Sequence, residues 1–188
     1  MSGTLAAMTS HGADIPLADT ITDTAKYKIG WVGGLPETPC GHGSKLSSTK
    51  MQRAWIPQIV EKYAIKSIAD IGAGDLNWVG SMALPAGVTY TAYDLVPRKT
   101  TITKFDIVNE IPPRVDLLMC LWVLNHFPID HCIQAIENLK LSGSRYLMMT
   151  YRQRYAAGSP KDLISMIDGA VERLVLNDKQ DQIVLVAL

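Results

Sequence analysis

Apolar residues cluster in short runs separated by glycine, proline and polar residues, a pattern typical of buried strands in an α/β protein. The runs predict strands over Ser67 to Ile71, Val88 to Tyr93, Thr101 to Ile107, Val115 to Val123 and Tyr146 to Tyr151. The fourth run is the most apolar, which predicts a strand buried on both faces. Glu172 to Leu176 and Gln182 to Leu188 predict a hairpin that completes the sheet.

A helix is predicted upstream of the first strand, from Ser47 or Ser48 to about Tyr63, because either serine can cap its first turn. Its apolar stripe is predicted to consist of Met51, Trp55, Ile59 and Tyr63. Pro57 lies inside this helix and predicts a kink or a split into two shorter helices.

Helical patterns recur between and after the strands. They cover Asn77 to Leu84, Asp130 to Leu139 and Lys161 to Asp168. Only Leu95 to Thr100 separates the second strand from the third, and a parallel crossover helix needs a dozen or more residues. The third strand is therefore predicted to be short or irregular.

The first strand runs directly into a glycine turn, Gly72-Ala73-Gly74. A dinucleotide-binding turn would place a third glycine at position 77, where this chain has Asn77, and Asp75 would repel a phosphate. Asp70 at the end of the strand suits a ligand with a positive charge, such as the ammonium of an amino acid. The alternative is a glycine turn that binds no ligand.

Asp94 closes the second strand and is placed to accept both hydroxyls of a ribose. Together, an amino-acid end, a ribose and the lack of a phosphate site describe S-adenosylmethionine.

From Gly41 to about Arg152 the chain resembles the class I S-adenosylmethionine-dependent methyltransferases, and within them a small bacterial and phage branch. The segment from Asp70 to Gly74 is similar to their first motif, and Tyr93-Asp94 is similar to their acidic second motif. The upstream likeness consists of Gly41-His42-Gly43-Ser44, Thr49, Arg53, Trp55-Ile56-Pro57, Tyr63 and Ile65-Lys66-Ser67. The resemblance implies a Rossmann-like doubly wound sheet, mostly parallel with an antiparallel C-terminal strand, here shortened between strands 2 and 3.

The resemblance also implies S-adenosyl-L-methionine as cofactor and a set of residues that bind it. The set is Gly43, Ser44, Asp70, Gly72, Gly74, Asn77, Trp78, Asp94, Asp106 and Leu121. In the family, a loop at the position of Gly43 and Ser44 folds over the methionine end, and an acid at the position of Asp106 accepts the adenine amino group. The alternative for the loop is an ordinary connector whose glycines make turns.

Methyl transfer from a sulfonium is an in-line displacement, so the protein must mainly align the acceptor and exclude water. The candidate catalytic residues at the carboxyl edge of the sheet are Asn125, His126 and Tyr151. His126 can take a proton near neutral pH, or it can order its loop or touch the methionine end. Asn125 can hold an amine or hydroxyl acceptor, or it can cap the loop.

Basic residues follow the fifth strand, where Arg152, Arg154 and Tyr155 can hold an anionic substrate or form only a solvated rim. A DNA amino-methyltransferase would carry an Asp/Asn-Pro-Pro-aromatic motif after the fourth strand. The segment from Leu124 to Phe127 stands at that place and argues against that class.

Composition and charge limit the number of domains, the partners and the compartment expected for the protein. The 188 residues, 47% hydrophobic, can form one domain, with residues 1–44 as an arm and cofactor-covering loop and 45–188 as the core. The 18 basic and 18 acidic residues balance, so no overall field attracts nucleic acid or an anionic membrane. The three cysteines lack metal-ligand spacing and fit a reducing compartment, and we expect neither a signal peptide nor a membrane-spanning run. We expect a cytoplasmic protein without a metal.

The sequence therefore predicts methyl transfer to an unidentified acceptor, a small molecule or glycan rather than nucleic acid. One alternative is a binding or assembly protein that kept the nucleoside pocket without turnover. Another is an enzyme that cleaves S-adenosylmethionine. The sequence indicates no oligomeric state.

Overall fold

The structure is a computed structural model that describes residues 37–152, 169–176 and 181–188. Strands β1 to β7 are Ser67–Ile71, Thr89–Asp94, Ile102–Lys104, Leu117–Cys120, Tyr146–Arg152, Glu172–Val175 and Asp181–Ala187. Helices α1 and α2 are Lys50–Lys62 and Ile129–Leu141, and single 3-10 turns lie at His42–Ser44, Val79–Ser81 and Leu124–His126. Several predicted features lie outside the described residues, namely the arm, the loop up to residue 36, the helix over 161–168, Arg154 and Tyr155.

All seven strands form one sheet, in the order β3-β2-β1-β4-β5-β7-β6. Strands β1 to β5 pair in parallel, whereas β7 is antiparallel to both β5 and β6. The predicted mostly parallel, Rossmann-like sheet with an antiparallel C-terminal strand is confirmed. The strand order reverses at β1, since β2 lies on one side of it and β4 on the other.

The two helices pack on opposite faces of the sheet. Successive residues of a strand point to opposite faces, so Ile68 packs on the α1 side and Ala69 on the α2 side. Strand β4 is buried on both faces along its whole length, as predicted, although it is shorter than the apolar run that contains it. The connection between β2 and β3 contains no helix, and β3 has only three residues, which confirms the predicted shortening.

The prediction for α1 was right about the helix and partly right about its buried face, since Ile59 is buried and Trp55 and Tyr63 pack against the core. The helix begins at Lys50, without a side-chain cap, and continues through Pro57. Its buried residues are Gln52, Ile56, Ile59 and Val60, whereas Met51 is half exposed. The face that packs on the sheet is therefore rotated by one residue from the predicted stripe at this end.

The predicted helix from Asn77 to Leu84 was wrong, because only the 3-10 turn Val79–Ser81 forms there. Leu76 adopts a left-handed φ of 59°, and the backbone N–H of Asn77 donates to the Asp75 carboxylate at 3.2 Å. This local turn competes with a helix start, and Gly80 and Ser81 are weak helix formers. The predicted α2 is confirmed, with Pro128 before it and Gly143 in a left-handed conformation after it.

Within the described ranges, every helix is too short or too polar to cross a bilayer.

Candidate functional site

A cavity of about 720 Å³ opens at the carboxyl edge of the sheet. The ends of β1 and β2 contribute Asp70 and Asp94 to its wall, and the chain after β4 contributes Leu121 and Trp122. Ligands of open α/β sheets bind at this edge, where the strand order reverses, in pockets of roughly 300–1,000 Å³. Position and size therefore mark the cavity as the candidate ligand site.

The glycine turn after β1 forms one side of the cavity. The backbone N–H groups of Gly72 and Ala73 both donate to the Tyr93 carbonyl, at 2.8 and 3.0 Å. Gly72 has a φ of 82°, and a Cβ atom there would lie 2.2 Å from Cγ2 of Val123. Glycine is required at this position by both the backbone angle and the packing.

Asp94 at the end of β2 is held by the same turn. Its Oδ2 accepts the Gly74 N–H at 2.8 Å and its Oδ1 accepts the Val96 N–H at 2.8 Å. Burial raises the pKa of the Asp94 carboxyl, and the two backbone hydrogen bonds act against that rise. Each oxygen keeps a further lone pair, so the carboxylate can accept two hydroxyl groups from a ligand.

Asp70 is 3% exposed and receives a hydrogen bond from the Tyr90 hydroxyl on its Oδ2. Burial raises the pKa of Asp70 to about 7, and the Tyr90 hydrogen bond acts in the opposite direction. A buried carboxylate is stabilised by a cation, so the arrangement suits a ligand that brings an ammonium.

Asp106 lies after β3, between Phe105 and Ile107, and lines the cavity. Its carboxylate accepts hydrogen bonds from the Val108 N–H and the Asn109 side-chain amide, both at 3.0 Å. These bonds fix the side chain in the loop that follows the third strand. The predicted contact to an adenine amino group stays a prediction.

The loop before α1 reaches over the glycine turn. Gly43 and Ser44 line the cavity. The Asn77 side-chain amide donates to the Ser44 carbonyl and to Glu37 Oε1, both at 2.9 Å. Asn77 therefore holds the loop in place without itself lining the cavity.

The cavity brings together most of the residues that the sequence singled out. Those that line it are Gly43, Ser44, Asp70, Gly72, Gly74, Trp78, Asp94, Asp106, Leu121 and His126. Asn77, Asn125 and Tyr151 do not line it. Tyr151 packs against the core on the α2 side, and Asn125 Oδ1 is buried without a hydrogen-bond partner among the described residues.

Other residues of the cavity wall were not predicted from the sequence, notably Gln52, Arg98 and Trp122. Gln52 stands four residues before Ile56 and seven before Ile59, so a shift of the helical stripe by one residue would have placed it on the buried face. Trp122 carried no such signal, because it lies within the apolar run that predicted β4.

Across the described part of the chain, no group of three or more His, Cys, Asp or Glu side chains is arranged to hold a metal ion.

No protein-family model matches the chain, and no curated protein matches it in sequence. Solved structures share its fold. The pyocyanin biosynthetic protein PhzM is 10% identical, with a TM-score of 0.58 over 76% of this chain and 56% of its own. Magnesium protoporphyrin IX methyltransferase from Synechocystis PCC 6803, solved with bound SAM, is 15% identical, with a TM-score of 0.56 over 94% of this chain and 99% of its own.

The small RNA methyltransferase HEN1 is a third such structure, 14% identical, with a TM-score of 0.55 over 74% of this chain and 25% of its own. At these identities the likeness shows the fold alone, which is the class I fold of S-adenosylmethionine-dependent methyltransferases.

Proposed function

We propose that the chain binds S-adenosylmethionine in this cavity and transfers its methyl group to an acceptor. The observation that carries the proposal is the convergence of Asp70, the Gly72 turn and Asp94 on one cavity where the strand order reverses. An acid for an ammonium and an acid for two ribose hydroxyls, separated by a turn that admits no side chain, match the chemistry of this cofactor.

Different residues of the cavity wall bind different parts of the cofactor. Asp70 faces the amino-acid end of the cofactor, Asp94 accepts its ribose hydroxyls, and Asp106 accepts from its adenine. Gly43 and Ser44 cover the methionine end, supported by the hydrogen bond that Asn77 makes to the Ser44 carbonyl. The cofactor supplies a methyl group already activated by its sulfonium.

The protein's remaining task is to align the acceptor and exclude water. His126 lines the cavity in the 3-10 turn after β4 and can receive a proton from an acceptor that loses one. The acceptor is a small molecule or glycan, which the size of the cavity and the balanced charge of the chain support. The fold does not choose between acceptors, since PhzM and the RNA methyltransferase HEN1 both have it.

A second candidate function is cofactor binding without turnover. It is favoured by the shortened middle of the sheet, where β3 has three residues and no helix connects it to β2. A protein that only binds needs the nucleoside contacts and no acceptor site.

Incubation of the full chain with methyl-labelled S-adenosylmethionine, alone and with a panel of phenols, amines and sugars, separates the possibilities. Transfer requires an acceptor, cleavage gives products without one, and a binder leaves the cofactor intact. We expect labelled product only when an acceptor is present. Breakdown without an acceptor, or an intact cofactor under all conditions, would contradict the proposed transfer.

A further inference from the structure

Gln52 is a buried polar residue whose amide oxygen is without a partner. The residue is 3% exposed, lies on the face of α1 that packs on the sheet, and lines the cavity. Its Oε1 has no hydrogen-bond partner in the described part of the chain. Buried polar atoms are nearly always hydrogen-bonded, so an unpaired oxygen at a cavity wall indicates a ligand that brings an N–H or O–H donor.

Gln52 lies on the side of the cavity away from the proposed nucleoside contacts. Ser48 and Met51, within one turn of Gln52, also line the cavity, as do Leu176 and Asp181 at the ends of β6 and β7. The sheet order puts β6 and β7 at one edge, and β2 and β3, which carry the proposed ribose and adenine contacts, at the other. The cavity therefore has a second part, bounded by α1 and the β6–β7 hairpin.

Trp122 lines the cavity and packs against the core on the α1 side of the sheet. It follows Leu121 after β4, and its φ of 62° is rare for a bulky residue. The Trp122 N–H donates to Thr150 Oγ1 at 3.0 Å, which holds the strained backbone against β5. A Cβ atom at Gly43 would lie 4.0 Å from Cγ of the indole, so the covering loop closes over this side chain. Backbone strain of this kind is concentrated at ligand sites.

We propose that Gln52 and Trp122 bind the methyl acceptor, and that the acceptor is a planar compound with a hydroxyl or amine donor. This inference rests on the proposed methyl transfer. The indole offers an aromatic surface for a flat ring, and Gln52 Oε1 accepts the donor hydrogen.

The hydrogen-bond donor that pairs with Gln52 can come from the acceptor or from the ammonium of the cofactor. Binding of S-adenosylhomocysteine distinguishes these two sources, because this compound brings the ammonium without an acceptor. Gln52→Met keeps the length of the side chain and removes the amide oxygen. Gln58→Met is the matched control, because Gln58 is exposed on the same helix and its side-chain amide donates to the Ala54 carbonyl. By calorimetry, we expect both variants to bind S-adenosylhomocysteine within about twofold of wild type. A loss of about tenfold in Gln52→Met alone would assign the donor to the cofactor and overturn the proposal.

Phenol and anisole then test the acceptor site directly, since both are planar and only phenol donates a hydrogen bond. Their affinities are measured by ligand-observed NMR on protein saturated with S-adenosylhomocysteine. We expect wild type and Gln58→Met to prefer phenol by about fivefold and Gln52→Met to lose that preference. Trp122→Gly relieves the backbone strain and should lower the affinity for both phenol and anisole. If the glycine variant does not fold, Trp122→Leu is measured in its place.

Equal affinities in wild type, a preference that survives in Gln52→Met, or no binding of either probe would overturn the proposal. These outcomes differ from a failure of the proposed function itself, in which wild type binds no S-adenosylhomocysteine.

Discussion

The Tyr90 hydroxyl, on β2, donates a hydrogen bond to Asp70 at the end of β1, so the acid that faces the cavity is held from within the sheet. Burial raises the pKa of this carboxyl to about 7, the Tyr90 hydrogen bond lowers it, and the nearby Asp94 charge raises it. The charge of the proposed ammonium site therefore changes near neutral pH.

The first prediction concerns the pH dependence of cofactor binding. An ammonium pairs with the ionised form of Asp70, so affinity for S-adenosylhomocysteine should rise by up to about tenfold per pH unit below about pH 7 and level off above it. Calorimetry at about pH 6 in two buffers with different ionisation enthalpies should show that binding releases a proton. An affinity that is flat from about pH 5.5 to 8 would place the ammonium elsewhere.

The raised pKa of Asp70 has the opposite effect on the stability of the free protein, which should fall as the pH rises. The ordinary pKa of the group is 3.8, so the folded state holds a proton that the unfolded state has lost between about pH 4 and 7. The contribution of Asp70 to the free energy of unfolding should therefore fall as the pH rises through this window. Saturation with S-adenosylhomocysteine should reduce that fall in chemical denaturation experiments.

The second prediction isolates the Tyr90 hydrogen bond. Tyr90→Phe removes a bond that favours the ionised carboxylate, so the pH at which binding levels off should move upward and affinity at pH 7 should fall. Tyr63→Phe is the matched control, because the Tyr63 hydroxyl donates to Glu172 Oε1 at 2.8 Å outside the cavity. The control should lose about 1 kcal/mol of stability with unchanged affinity. An identical pH profile for Tyr90→Phe and wild type would show that the bond does not tune Asp70.

The third prediction concerns the turn after β1. Gly72→Ala places a Cβ atom against Val123 at a left-handed φ, so it should lower the free energy of unfolding by about 1–3 kcal/mol and weaken S-adenosylhomocysteine binding. Gly80→Ala is the control, because nothing lies within 4 Å of a Cβ atom there. Its stability should stay within about 0.5 kcal/mol of wild type. Equal effects of the two substitutions would contradict the tight packing at Gly72.

The fourth prediction concerns His126. We expect His126→Ala to lower S-adenosylhomocysteine affinity and thermal stability together, because the residue lies in the turn between β4 and α2 and alignment alone can drive displacement at a sulfonium. His131→Ala, outside the cavity wall, should leave affinity unchanged.

A general base would behave differently. Its loss would slow single-turnover transfer by roughly 10² to 10⁴ with little change in affinity. A His126→Ala variant with full affinity and full transfer would remove both roles.

The local signals in the sequence were strong where one physical requirement decides the structure. The limits of β1 and its glycine turn followed from an apolar run meeting Gly72 and Gly74, and α2 followed from Pro128, Asp130 and Gly143. The missing helix between β2 and β3 followed from chain length alone. These features depend on steric and length limits that tertiary packing does not override.

The acceptor side of the cavity could not be predicted in the same way. Gln52 is a polar residue on a buried helical face, and its environment depends on how α1 is rotated against the sheet. Trp122 depends on where β4 ends inside an apolar run, which hydrophobicity does not mark. The helix predicted after the glycine turn does not form, because the local turn at Asp75 and Leu76 outweighs a weak helical pattern.

The most direct test of the proposed cofactor site is calorimetric titration of S-adenosylhomocysteine into wild type, Asp94→Asn and the exposed-surface control Glu61→Gln. Asn keeps one oxygen, which can accept only one of the two backbone N–H groups, and removes the charge that strengthens the hydrogen bonds to the ribose hydroxyls. We expect one site per chain in wild type and Glu61→Gln, and a roughly ten- to hundredfold weaker site in Asp94→Asn. No binding to wild type, or equal affinity in all three proteins, would contradict an S-adenosylmethionine site at the end of β2.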